Sequence, residues 1–160
     1  MEIRFAEPQD VAGILALLGQ VGAVHHQIRP DIFRSGAQKY GASQVLAMLN
    51  SSTNPIFVAV EDGKVLGYGF CQYKEVEKDP VIVDHAELYI DDLCVDQSCR
   101  GRHIGTAIYD AICRYAKMRK CQKITLNVWC GNDSAMKFYE NLGLKPQKIV
   151  MERMLNDQEE

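Results

Sequence analysis

The feature that most constrains this chain is the run Val95-Asp96-Gln97-Ser98-Cys99-Arg100-Gly101-Arg102-His103-Ile104-Gly105. Residues 83–95 read as a long strand leading into it. After it, Ile104, Ile108, Ile112 and Tyr115 recur at helical spacing. A strand that passes through a basic, glycine-bearing loop straight into a helix makes a place for an anion. Backbone N–H groups at the helix N-terminus have no partner within the helix, and the dipole favours negative charge there. Gly101 and Gly105 allow the backbone to come close to a phosphate. Arg100 and Arg102 supply positive charge. An ordinary strand-to-helix turn with solvated arginines would share these residues, and the run matches neither a P-loop nor a G-x-G-x-x-G fingerprint.

The rest of the chain supplies the frame. At 160 residues it fits one domain, expected over 1–155, with 156–160 as a frayed tail. Residues 3–6 read as a first strand. Pro8 opens a helix carrying Val11, Ile14, Leu15 and Leu18 on one face, which Gly19 and Gly22 end or loosen. Between residues 21 and 52 the pattern is weak. Val45, Met48 and Leu49 suggest a second helix, with His25, His26, Arg29 and Phe33 in its irregular lead-in. Residues 56–60 are a buried strand, and Asp62-Gly63 turns it into the next, 65–75. After the basic loop and its helix come a strand at 123–128 and a helix capped by Asn132 and stopped by Gly143. Residues 144–155 are expected to close the domain as two strands.

Composition narrows the function. A net charge of -3 argues against a general nucleic-acid binder, which uses a basic field. The N-terminus lacks the pattern of a signal peptide, and no apolar run reads as a bilayer span, so no membrane is expected and the cytoplasm is the expected compartment. The six cysteines form no C-x-x-C pair and have no histidine at zinc-ligand spacing, so no metal is expected and most of them read as small core residues.

Three segments together resemble the GNAT superfamily of acyl-CoA-dependent N-acetyltransferases. Arg100-Gly101-Arg102-His103-Ile104-Gly105 resembles its pyrophosphate loop, Q/R-x-x-G-x-G/A. Leu88-Tyr89-Ile90-Asp91-Asp92-Leu93-Cys94-Val95 resembles the central strand before that loop. Leu126-Asn127-Val128-Trp129-Cys130-Gly131-Asn132-Asp133-Ser134-Ala135-Met136-Lys137-Phe138-Tyr139-Glu140-Asn141-Leu142-Gly143-Leu144 resembles the later strand-helix unit, N-x-x-A-x-x-F-Y-x-x-L-G-F. Their order and spacing fit the family across nearly the whole chain. His103 departs from the pattern, standing where its first glycine is usual.

The resemblance implies an α/β (α+β) fold: a central mixed, mostly antiparallel, twisted sheet of six to seven strands flanked by about four helices. It implies direct transfer of an acetyl group from acetyl-CoA to a primary amine in a ternary complex, with a small amine, a peptide N-terminus or a lysine as acceptor. An alkylammonium costs about 4 kcal/mol to deprotonate at pH 7. By resemblance to polyamine acetyltransferases Asp91 is the base, with Asp92 and Glu87 as rivals. Tyr139 is the acid that protonates the departing thiolate, although its place on an apolar stripe equally suits a core aromatic. The cofactor is assigned to Leu93, Cys94, Val95, Arg100, Gly101, Arg102, His103, Ile104, Gly105, Thr106 and Asn132. Asn132 serves equally as a helix cap. A homodimer is compatible with the family. Three alternatives stay open: a non-catalytic CoA-binding sensor, an acyltransferase for a larger acyl-CoA, and a ping-pong enzyme using Cys94 or Cys130 with His85, which no motif supports.

Overall fold

A computed structural model describes residues 1–155. By compactness the chain falls into two units, Met1–Asn127 and the remainder from Val128.

The first unit is a five-stranded sheet covered on both faces. Its strands are β1 (Glu2–Phe5), β2 (Ile56–Glu61), β3 (Lys64–Val76), β4 (His85–Val95) and β5 (Lys123–Leu126), and they lie in that spatial order. The first three pairings are antiparallel and β4–β5 is parallel. A parallel pair needs a crossover. Helix α3 (Ile104–Met118) provides it and buries Ile104, Ile108, Ala111, Ile112 and Ala116. Gly67 allows this close approach: a Cβ there would lie 2.9 Å from the Cys94 carbonyl oxygen and 3.0 Å from Ile108 Cδ1. The opposite face is covered by α1 (Val11–Ile28), which follows a short 3-10 turn at Pro8–Asp10, and by α2 (Ala42–Leu49). Ile14, Leu17 and Leu18 of α1 pack there with Val58, Tyr68 and Phe70. The β2–β3 turn has Asp62 at φ 51° and Gly63 at φ 75°, the paired positive φ values that a two-residue hairpin requires.

The start of α1 is fastened by a buried ion pair. Arg4 Nη1 donates to Asp10 Oδ2 at 2.6 Å and Nη2 to Oδ1 at 3.1 Å, while the Glu7 N–H donates to Oδ2 at 2.8 Å. Burial alone would push the Asp10 carboxyl up. The Arg4 and Glu7 donors outweigh that and hold it below the ordinary carboxylate range.

Three expectations need correction. Helix α1 runs straight through Gly19 and Gly22 to Ile28, taking His25 and His26 into its last turn. Gly22 is there for approach: a Cβ on it would meet the Ala37 carbonyl oxygen at 2.5 Å. The segment Pro8–Ile28 is also long and apolar enough to cross a membrane by length and composition. The sheet has five strands where six to seven were expected. The shortfall is at residues 144–155, which form no strand ladder. The four α-helices match the expected number among the described residues.

In the second unit, α4 (Asp133–Asn141) ends at Gly143, whose φ of 93° gives the left-handed stop. Asn132 holds the N-cap position without capping. Its side chain makes no bond to the helix backbone, and its Oδ1 accepts from Ser134 Oγ at 3.5 Å. The expected tail at 156–160 lies outside the described residues.

Candidate active site

The site begins with an irregularity in β4. Along the β3–β4 ladder Cys71 faces Ile90 and Phe70 faces Asp92, so Asp91 is an extra residue, a β-bulge. The bulge inverts the alternation of the strand. Before it, Leu88 and Ile90 pack on the α3 side. After it, Leu93 and Val95 pack on that side, and Cys94 joins the α1 core. Two consecutive carboxylates, which a regular strand would place on opposite faces, therefore both meet groups on the α1–α2 side.

Their surroundings differ. Asp91 Oδ2 accepts from the Tyr40 hydroxyl at 2.5 Å, and Asp91 Oδ1 lies 2.9 Å from Lys39 Nζ. Asp92 is deeper and its Oδ2 accepts from the Tyr68 hydroxyl at 2.7 Å. Burial raises the Asp92 carboxyl above its ordinary range, and the Tyr68 donor and the charges of Lys39 and His25 only partly offset this. Burial and then the Asp91 bond push the Tyr40 hydroxyl upward as well, so it stays a protonated donor. Glu87 lies earlier on the strand, 3.8 Å from Lys123 of β5.

The second element is an open strand edge. β4 pairs with β5 only from Glu87↔Lys123 to Ile90↔Leu126. Beyond Ile90, β4 stays bonded to β3 through Val95, and its other edge has no ladder partner among the described residues. Leu93, Cys94 and Val95 lie along this stretch. An extended chain bearing amides can pair with such an edge.

The third element is the basic loop. Asp96 accepts from the N–H and the hydroxyl of Ser98, both at 2.9 Å, and these bonds hold its carboxyl low. The chain then turns through Gly101 at φ 82° and His103 at φ 59° before α3. The left-handed conformation explains why glycine suits position 103 and why histidine, among the more tolerant residues, can stand there. The His103 carbonyl accepts the Ala107 N–H at 3.1 Å, so α3 starts at Ile104 with its first-turn N–H groups at this loop. Gly105 and Thr106 belong to that turn. Arg102 is tied to Glu61 by bonds of 2.9 and 3.0 Å, and trades this partner if it meets a phosphate. Arg100 follows the short 3-10 turn at Gln97–Cys99 and is exposed. The residues thus fit a diphosphate with a polyamide arm: N–H donors and arginines at one end, an open strand edge beside them.

The remaining candidates are placed as follows. Tyr139 is half-buried on α4, its ring edge-on to Phe138 at 5.1 Å; it and Asn132 belong to the second unit. His25 stacks on Phe33 at 4.9 Å, His26 Nδ1 lies 2.7 Å from the Phe33 carbonyl, and Arg29 pairs with Asp31. The cysteine alternative is unsupported. Burial pushes the Cys94 thiol up to about 12, its Sγ points to the Leu17 carbonyl at 3.7 Å, and His85 Nδ1 is 2.9 Å from the Val83 carbonyl. No cluster among the described residues could hold a metal ion. Lys39, Tyr40 and Tyr68 were not anticipated. Tyr68 looked like any strand aromatic, and Lys39-Tyr40 lies where the pattern is weakest.

The acetyltransferase (GNAT) family model matches residues 24–144. This chain belongs to the GNAT acetyltransferase family. Two relatives in Methanocaldococcus jannaschii are similar to it. The uncharacterized N-acetyltransferase MJ1207 is 31% identical over 64% of this chain and 44% of its own length. The uncharacterized N-acetyltransferase MJ1530 is 30% identical over 69% and 65%. The chain thus spans less than two thirds of either. A crystal structure of a mutant of the BH1408 protein from Bacillus halodurans is 34% identical and superposes with a TM-score of 0.93 over 98% of this chain and 100% of that one. The α/β fold is the GNAT fold.

Proposed function

We propose that the protein is an acyl-CoA-dependent N-acetyltransferase that moves an acetyl group from acetyl-CoA to a primary amine in a ternary complex. The observation that carries this reading is the end of the β4–β5 ladder at Ile90, with Asp91 bulged at the start of the free edge and the basic loop at its end. The pantetheine arm pairs along Leu93, Cys94 and Val95. The pyrophosphate meets the N–H groups of Ile104, Gly105 and Thr106, with Arg100, Gly101, Arg102 and His103 around it. An N–H of the free edge stabilises the oxyanion as the amine attacks. Asp91 receives the amine proton, because it sits at the head of the edge and already holds an ammonium there, while Asp92 is bonded to Tyr68. The family resemblance assigns Tyr139 the return of a proton to the thiolate and Asn132 a contact to the cofactor.

The test is thermal unfolding with acetyl-CoA, CoA and ATP, run beside an Arg100→Glu, Gly105→Glu double variant. At about a hundredfold excess over Kd, a ligand specific to the native state adds about 2.7 kcal/mol. Stabilisation by acetyl-CoA and CoA in the wild type alone supports the reading. No stabilisation by either ends it. In a thiol-release assay with a panel of primary amines, Asp91→Asn lowers kcat/KM by about 10²–10⁴. A larger loss in Asp92→Asn, with acetyl-CoA binding intact, moves the base to Asp92.

A further inference from the structure

If Asp91 receives the proton of the acceptor amine, the amine already at that carboxylate is the protein's own. Lys39 Nζ lies 2.9 Å from Asp91 Oδ1 and donates to the Asp91 carbonyl oxygen at 3.3 Å, so it holds both the side chain and the backbone of the bulge. The other carboxylate oxygen is taken by Tyr40, which leaves Oδ1 to the lysine.

The position of Lys39 is built by its neighbours. Ala37 presses its carbonyl against Gly22, at a distance that admits no larger residue. Gln38 donates through Nε2 to the Leu15 carbonyl at 3.1 Å. Tyr40 lays its ring beside that of Phe70, with centroids 5.3 Å apart. The loop is therefore anchored on both sides of Lys39, and its ammonium is carried to Asp91 by the fold. The Lys39 side chain remains 46% exposed and that of Asp91 only 10%, so the nitrogen is open to solvent while the carboxylate is shielded.

We propose that Lys39 is a self-acetylation site, the intramolecular acceptor of this active centre. The inference rests on the acetyltransferase reading above. A proton passes from the Lys39 ammonium to Asp91 Oδ1. The freed nitrogen attacks the thioester carbonyl carbon of acetyl-CoA, the C–N bond forms, the C–S bond breaks, the CoA thiolate leaves with the second proton that the nitrogen sheds, and Asp91 gives its proton to water. The product is a neutral amide on Nζ. Asp91 then loses its counter-ion, and the ammonium of an external amine no longer competes with Lys39 for it. Tethering favours the first transfer, because the lysine is held beside the base at no cost of association.

The experiment incubates the whole chain with isotopically labelled acetyl-CoA and follows each lysine by peptide mass mapping. Lys64, whose side chain is 63% exposed, serves as the internal reference for uncatalysed acetylation. Lys39 is expected to label at least about tenfold faster than Lys64, at a rate that does not change on dilution of the protein. Asp91→Asn removes the preference. Lys39→Arg keeps the ion pair, is not labelled there, and is still stabilised by acetyl-CoA. Labelling of Lys39 no faster than Lys64, in protein that acetyl-CoA does stabilise, overturns the inference and leaves the acetyltransferase reading standing. A rate at Lys39 that scales with protein concentration overturns the intramolecular route. Absence of any acetyl-CoA stabilisation overturns both.

Discussion

Helices α3 and α4 both carry apolar residues at helical spacing, Ile104, Ile108 and Ile112 in one, Ala135, Phe138 and the following Leu142 in the other. Helix α3 buries five residues and α4 buries none. The segment after α4 continues the contrast, with Ile149 83% and Met151 90% exposed. The difference teaches that a 3.6-residue period identifies the apolar face of a helix and says nothing about what covers it. For α3 the cover is the sheet, brought close by Gly67 and Gly69.

Three measurements break or sharpen this contrast. The largest effect is expected for Ile108→Ala, which empties a fully buried position and costs about 2–5 kcal/mol in urea or thermal unfolding. A much smaller loss would mean that α3 repacks freely.

Next comes acid unfolding of the first unit. The Asp10 carboxyl is held below its unfolded value of about 3.9. Its contribution to stability is present above that value and is lost as pH falls through the lowered folded pKa. Asp10→Asn should therefore flatten the acid limb of the stability profile. An unchanged limb would show that the Arg4 pair does not anchor α1.

The smallest effect is expected for Phe138→Ala, below about 1 kcal/mol, because no residue of α4 is fully buried. A loss as large as that of Ile108→Ala would show that the α4 stripe is covered in solution, and the oligomeric state under the same conditions would identify the cover.

Most of the first unit was legible because its signals are local. The Asp62-Gly63 turn, the β-branched run at 56–60 and the helical stripe after Gly105 each act through a few neighbouring residues. The strand, loop and helix succession at 95–105 was legible for the same reason. His103 read only as a departure from the glycine pattern, and the backbone angles show why histidine is tolerated there. The long reach of α1 was not legible. Gly19 and Gly22 read as breakers by propensity, and the compensating contact of Gly22 with Ala37 lies fifteen positions away in the chain. The expected strands at 144–155 had suitable residues, but a strand exists only when another supplies its hydrogen bonds.

The candidate base shows where such reading stops. Asp91 was identified from its place in a motif, with Asp92 and Glu87 as rivals. The bulge that turns both aspartates toward one face is a property of the β3–β4 register. The partners that distinguish them, Lys39 and Tyr40 for one and Tyr68 for the other, come from positions 52, 51 and 24 residues away in the chain.

By itself the sequence determined the chemistry on offer: a strand, a basic glycine loop and a helix in direct succession, two adjacent acids before them, and a tyrosine on a later amphipathic helix. These follow from backbone preferences and side-chain types, which act over a few residues. Only the tertiary structure decided which partners each acid meets, where the edge of β4 opens, and which cation stands at Asp91. Each of those depends on distant segments meeting, and both pairing register and burial belong to the assembled sheet and its helices.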